Sequence, residues 1–332
     1  MHQSAGECEM VRHRRVAFIV ALAVALLLIP LVIKSDYSLN LLFSILLYSA
    51  MAQSWNILGG YAGQISIGHS AFFGAGAFTT RLLWVSGVPL PLSLLIGSVI
   101  AIILASIIGF PALRLRGPYF AIGTMALAEA LYLTLRNIFP GVAFLPGKYI
   151  AAYSLIPRYY LVLALVGVIA FTTYAVMNSK LGLAIEAIRN DQDAAESSGV
   201  NLFRYKVFAF TLSALFMGLT GGVFAYYHTS YYLAYPFGGV WSFDPLVMTI
   251  IGGAGTLIGP IIGATFFIGL KEVLAVRMGE MHIILFGIIF VLVVIFLPGG
   301  IIEGVERIRR LVFKPGKTGF RQNGRQASVI PQ

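Results

Sequence analysis

The chain alternates long apolar runs with short polar joints, and this alternation sets its architecture. An apolar run of about 20 residues suits a transmembrane helix, because a ~30 Å hydrocarbon layer needs that length at 1.5 Å per residue. The pattern predicts spans at 16–33, 39–58, 66–86, 91–113, 118–137, 158–177, 206–230, a broken stretch at 245–275, and 282–300. One long polar excursion interrupts it, 178–206, reading NSKLGLAIEAIRNDQDAAESSGVNLFRYK. There Leu181, Ala184, Ile185 and Ile188 fall at i, i+3, i+4 and i+7, the apolar stripe of a short amphipathic helix. A second helical stretch, Asp193-Ala194-Ala195-Glu196, ends at Gly199, which can take a left-handed cap. An amphipathic helix on an internal loop presents a surface to something in the aqueous phase.

Composition agrees with an all-α, polytopic transmembrane bundle of about 8–10 spans. Of 332 residues, 58% are hydrophobic and 11% charged, and 36 glycines suit close helix contacts and broken helices. The single Cys8 excludes an intramolecular disulfide and a cysteine-rich metal site. Arg12, Arg14 and Arg15 precede the first run, but no small-residue cleavage site follows it, so the run reads as a retained helix. The basic N-terminal segment, Arg114 with Arg116, the 178–206 loop and the stretch from Arg307 to Arg325 hold 16 of the 23 Lys and Arg residues. The positive-inside rule puts all four in the cytoplasm. The chain thus divides into a basic cytoplasmic segment (1–15), a transmembrane domain (16–305) and a basic cytoplasmic tail (306–332). The net charge of +10 is then a topology signal and a lipid-headgroup contact, and nucleic-acid binding is not expected.

Nine simple crossings would leave the termini on opposite sides. Two crossings within 245–275, or a re-entrant segment elsewhere, restore parity, and that stretch is interrupted by Gly252-Gly253-Ala254-Gly255-Thr256-Leu257-Ile258-Gly259-Pro260. Asp244-Pro245 reads as its N-cap and first helical residue. A related break, Gly59-Gly60-Tyr61-Ala62-Gly63-Gln64-Ile65-Ser66-Ile67-Gly68-His69, shares its glycine framework and suggests two structural repeats. Matching discontinuous helices point to a translocation path. Gln64, Ser66 and His69 are therefore candidates for a path or gate, with helix packing as the alternative.

At these residues a resemblance emerges. The runs NILGGYAGQISIGHSAFFGAGAF (56–78), RLRGPYFAIGTMALAEALYLTLRN (114–137) and GGAGTLIGPIIGA (252–264), together with the segment 179–226, resemble the branched-chain amino-acid ABC transporter permeases. RLRG-x-YFA resembles the second of the two permease types that pair in such systems. The resemblance implies a bacterial inner-membrane subunit with both termini cytoplasmic. Its partners would be a sister permease, two ATPase subunits and a periplasmic substrate-binding protein. Asp193-Ala194-Ala195 followed by Gly199 resembles the EAA-x3-G pattern that docks importer permeases onto their ATPases, though the Leu-Pro that ends the longer motif in many importers is absent. The implied coupling residues are Glu186, Ala187, Arg189, Asp193, Ala194, Ala195, Glu196 and Gly199.

The remaining chemistry is sparse. Gly316-Lys317-Thr318 lacks the earlier glycine of a phosphate-binding loop, since position 311 is Leu311. The five histidines are scattered and form no metal motif, so no cofactor, metal or catalytic residue is expected here, and ATP with magnesium would sit on partner subunits. Glu129 lies at mid-span in TMALAEALYLTL, where a carboxylate needs a partner or a protein-facing position. It reads as a gate or path residue, or as the packing partner of Arg81, which could instead snorkel to the interface. An ion-coupled secondary transporter would need more such acids, and a membrane enzyme would need a clustered His, Asp or Ser site. Urea or short amides remain alternative substrates to branched-chain amino acids.

Overall fold

The computed structural model describes residues 24–32, 35–115 and 117–278, with several positions between 284 and 304. Segments 1–15 and 306–332, and most of the span expected at 282–300, lie outside these residues. Helix α1 (Asp36–Asn56) runs into a π-helical turn, Ile57–Tyr61. Then come α2 (His69–Val85), α3 (Leu90–Ala112) and α4 (Pro118–Ile138). A strand β1 (Val142–Phe144) and a short α5 (Gly147–Ala151) lead into α6 (Leu155–Met177). The polar loop forms α7 (Lys180–Asn190) and α8 (Gln192–Ser197), followed by α9 (Leu202–Tyr227). Strand β2 (Ser230–Tyr232), a 3-10 turn (Tyr235–Phe237), α10 (Val240–Gly252) and α11 (Gly259–Met278) complete the order.

Among the described residues, six helices are long and apolar enough to cross a membrane: α1 with its π-turn, α3, α4, α6, α9 and α11. The architecture is a polytopic all-α bundle. Contacts between helix ends define two faces. At one, β1 pairs antiparallel with β2 in the register Val142↔Tyr232, and Tyr37 Oη donates to Glu272 Oε1 at 2.7 Å. There too Tyr227 Oη donates to Asn40 Oδ1 at 2.6 Å, and Trp84 packs on Tyr149. The opposite face carries α7 and α8.

The break in 245–275 is present, at 253–258, and α10 and α11 form a hairpin across it. A Cβ on Gly252 would strike Gly259, and one on Gly263 would strike the Met248 carbonyl, so the two backbones touch. Residues 299–302 lie against Gly253, which brings the chain back to the α7–α8 face. Helix α10 begins earlier than expected: Gly239 is its cap position and Pro245 lies inside it. The added turn is held by tertiary contacts. Trp241 stacks on Phe73 at 4.6 Å between centroids, and Ser242 Oγ accepts from Ser70 N–H at 2.7 Å.

Helices α2, α3 and α9 form the centre. A Cβ on Gly76 would strike the Gly218 carbonyl, and one on Gly221 the Phe73 carbonyl. Because lipid tails are as apolar as a leucine side chain, association of these helices rests on such close packing. Arg81 neither snorkels nor pairs with Glu129. It is buried, donates from Nη2 to the His228 carbonyl, and lies over the Tyr231 ring. Its stem runs inward because α2 is enclosed by neighbours over most of its length. Arg158 is buried nearby, sandwiched between the Tyr153 and Tyr226 rings at 3.8 and 4.3 Å.

Replacing Gly76 with Leu should force α2 and α9 apart, with a cost at or above the ~1–3 kcal/mol of core overpacking. The expected result is a lower unfolding temperature in detergent and a smaller folded yield; an unchanged melting profile would show that this contact does not hold the centre.

Candidate functional site

The loop helices are built from their own side chains. Ser179 Oγ accepts from Leu181 N–H, and Asp191 Oδ1 accepts from Asp193 N–H at 2.9 Å and Ala194 N–H at 3.1 Å. Asn201 Oδ1 caps α9 by accepting from Arg204 N–H. Each cap satisfies a helix N-terminal donor, worth about 1 kcal/mol. Gly199 takes φ +84° and closes α8, with Val200 N–H donating to the Ala195 carbonyl. Lys206 Nζ donates to Gln192 Oε1 at 2.7 Å, tying α8 to α9.

Half of the stripe expected on α7 is buried: Ile185 and Ile188 are buried and Ala184 half-buried, while Leu181 is exposed. Of the expected coupling residues, Glu186, Arg189, Asp193, Ala194, Glu196 and Gly199 are exposed and Ala187 is half-buried. Ala195 faces inward, 5% exposed. The loop therefore shows solvent a surface of mixed charge and small residues together with Leu181 and Leu183, while Ile185, Ile188 and Ala195 stay on the bundle.

The first glycine break lies directly beneath. After the π-turn the chain turns back at Gly63, φ +66°, and runs without helix from 63 to 68, with Gln64, Ser66 and Gly68 buried and Gly63 and Ile65 exposed. Buried backbone of this kind needs partners from protein. Trp55 Nε1 donates to the Ser66 carbonyl at 2.8 Å, Thr124 Oγ1 accepts from Ile67 N–H, and Ser66 Oγ accepts from Gly68 N–H. His69 Nε2 lies 2.8 Å from Ser213 Oγ, which donates to the Ser54 carbonyl at 2.6 Å. Gln64, Ser66 and His69 are all buried.

Glu129 does not join them. It is exposed on α4, five residues beyond Thr124, which at 100° per residue puts it well round the helix from the face that meets the break. Helix α4 is also the least buried of the six long helices. A residue that sequence reasoning passed over sits at the junction: Asn56, 2% exposed. Its Nδ2 donates to the Thr256 carbonyl at 2.9 Å and its Oδ1 accepts from Gly255 N–H at 2.8 Å, which joins the two glycine breaks. The available signal was a polar residue at the head of NILGG, shortly before its glycines.

The family model described as branched-chain amino acid transport system / permease component matches residues 37–294, spanning the bundle and both breaks. The chain belongs to this family. It is 27% identical over 318 residues to the high-affinity branched-chain amino acid transport system permease protein LivM of Escherichia coli (strain K12), a match covering 86% of this chain and 74% of the relative. It is 26% identical over 325 residues to the protein of the same name from Salmonella typhimurium (strain LT2), with the same coverage. No solved structure matches the chain.

In this permease the Ser66 position is a packed joint between α1 and the break. Ser66→Phe should therefore destabilise the bundle by at least the ~1–3 kcal/mol of overpacking, seen as a lower unfolding temperature. A variant as stable as the parent that has lost transport would instead make Ser66 a path residue.

Proposed function

We propose that the chain is a membrane-spanning subunit of an ATP-binding-cassette importer that moves branched-chain amino acids across the bacterial inner membrane. A sister permease completes the path, two ATPase subunits supply the energy, and a periplasmic binding protein delivers the substrate. Family membership supports the transport role, and the names of the two LivM relatives support the substrate class. The observation that carries the coupling role is the self-capped α7–α8 unit, whose charged face is exposed at the end of the bundle where both glycine breaks meet.

In this reading the exposed Glu186, Arg189, Asp193, Ala194 and Glu196 meet an ATPase cleft, and closure of the ATPase dimer on ATP moves the loop. The path runs along the exposed face of α4 against the sister permease, with Glu129 on that face. A carboxylate in a membrane span is tolerated beside water or protein, which such a path provides. The basic residues at 114, 180, 189, 204 and 206 lie at or near the α7–α8 face and support a cytoplasmic placement for it.

Two measurements test this. The purified assembly should contain two further kinds of subunit, a second permease and an ATPase; a lone chain would sink the importer reading. Ala194→Arg, which puts a bulky cation on the exposed small-residue surface, should lower substrate uptake about tenfold or more, the effect of ~1.4 kcal/mol at an interface. Unchanged uptake at equal expression would remove the loop from the mechanism.

Orientation has its own check. In a chain with Cys8→Ser, a cysteine at Gly147, which is exposed beside β1, should react with an impermeant thiol reagent from the periplasmic side, and one at Asn190 should not. Reaction at Asn190 from outside would invert the assignment.

A further inference from the structure

The two glycine breaks, 63–68 and 253–258, lie far apart in sequence but meet one another and one side chain of the loop. The Asn56 side-chain amide offers a donor and an acceptor together, and it pairs with the backbone of the second break at both: Nδ2 with the Thr256 carbonyl, Oδ1 with Gly255 N–H. This clasp is close because Gly60 carries no side chain; a Cβ there would strike Asn56 Oδ1 and crowd Gly255 N. Arg189, in the last turn of α7, spans the same junction. Its Cγ lies 3.2 Å from where a Cβ of Gly63 would be, and its guanidinium occupies the space that a Cβ of Gly255 would need. Both glycines have positive φ, +66° and +78°, so each is a turn of the chain whose direction depends on that one residue.

Arg189 is at the same time exposed on the docking side of α7. Its helix is fixed to the bundle by Ile185 and Ile188, and Gly182 packs against the Met177 backbone. A displacement of α7 would therefore shift the Arg189 side chain against Gly63 and Gly255.

From this arrangement we infer that Arg189 is a positioning residue that links the loop to both broken helices, seated on Gly63 and Gly255 across the Asn56 clasp, so that motion imposed on α7 moves the two breaks together. The inference rests on the importer reading above, and adds to it the route by which loop motion reaches the membrane interior. Two independently placed breaks would allow one half of the bundle to move without the other. Held by Asn56 and pressed by Arg189, they move as one unit.

The test uses the full assembly, reconstituted with its binding protein, and reads substrate transported per ATP hydrolysed. Gly255→Ala puts a methyl in the guanidinium's place but at φ +78° also strains the turn, so it is read beside Arg189→Ala, which leaves both glycines untouched. The ratio should fall about fivefold or more, the lower end of coupling between distinct sites. Arg189→Ala should lower the same ratio, and the double variant should be no worse than the more affected single, because both remove one contact. A parental ratio in either single variant would overturn the inference, as would multiplying effects in the double variant. Loss of ATPase subunits from Arg189→Ala would also overturn it, by making Arg189 a docking contact alone. If the parent assembly neither holds ATPases nor transports, the importer reading fails before this one is reached.

Discussion

The need to satisfy interrupted backbone inside a low-dielectric bundle governs this structure. A helix that stops inside protein leaves peptide groups without helical partners, and each buried one costs several kcal/mol if left bare. Here the partners are side chains borrowed from neighbouring helices: the Trp55 indole for Ser66, the Thr124 hydroxyl for Ile67, and the Asn56 amide for Gly255 and Thr256. Because each of these residues belongs to a different element from the group it serves, the breaks are tied to α1 and α4 and cannot shift alone. Thr256 adds a local tie, accepting from Gly259 N–H to start α11.

Glycine makes those distances reachable. The contacts of Gly76 with Gly218 and of Gly252 with Gly259 bring backbones close enough that no side chain fits between them. Around that centre the aromatic residues Phe73, Phe224 and Trp241 fill the volume that the glycines leave, with Trp241 of α10 stacked on Phe73 of α2. The first turn of α10 thus owes its existence to packing against α2, which a local reading of Asp244-Pro245 as a helix start had no means to register.

Much of the fold was legible because a span advertises itself by length and uniform apolarity: α3, α4 and α6 fall within a few residues of the expected 91–113, 118–137 and 158–177. The loop helices and the Gly199 cap were equally open to reading, since capping is a local interaction written in adjacent residues. What escaped was long-range. Arg81 looked like a snorkelling cation until α2 proved to be enclosed, and the β1–β2 pairing joins three-residue strands too short for any alternation to show. Asn56 was hidden for the same reason: a single polar residue at the end of a span is unremarkable until its partners 200 positions away are known.

The three side-chain caps on α7, α8 and α9 have a consequence for how this subunit meets other proteins. A segment that must order itself on contact forfeits part of its binding free energy to the loss of chain entropy, about 1–2 kcal/mol for each residue fixed. The 178–206 unit is already shaped, stapled to the bundle by Ile185, Ile188 and the Lys206–Gln192 bond, before any neighbour arrives. Any association can then be fast and modest in strength, governed by shape and charge instead of by folding, and the surface offered is the same at each encounter.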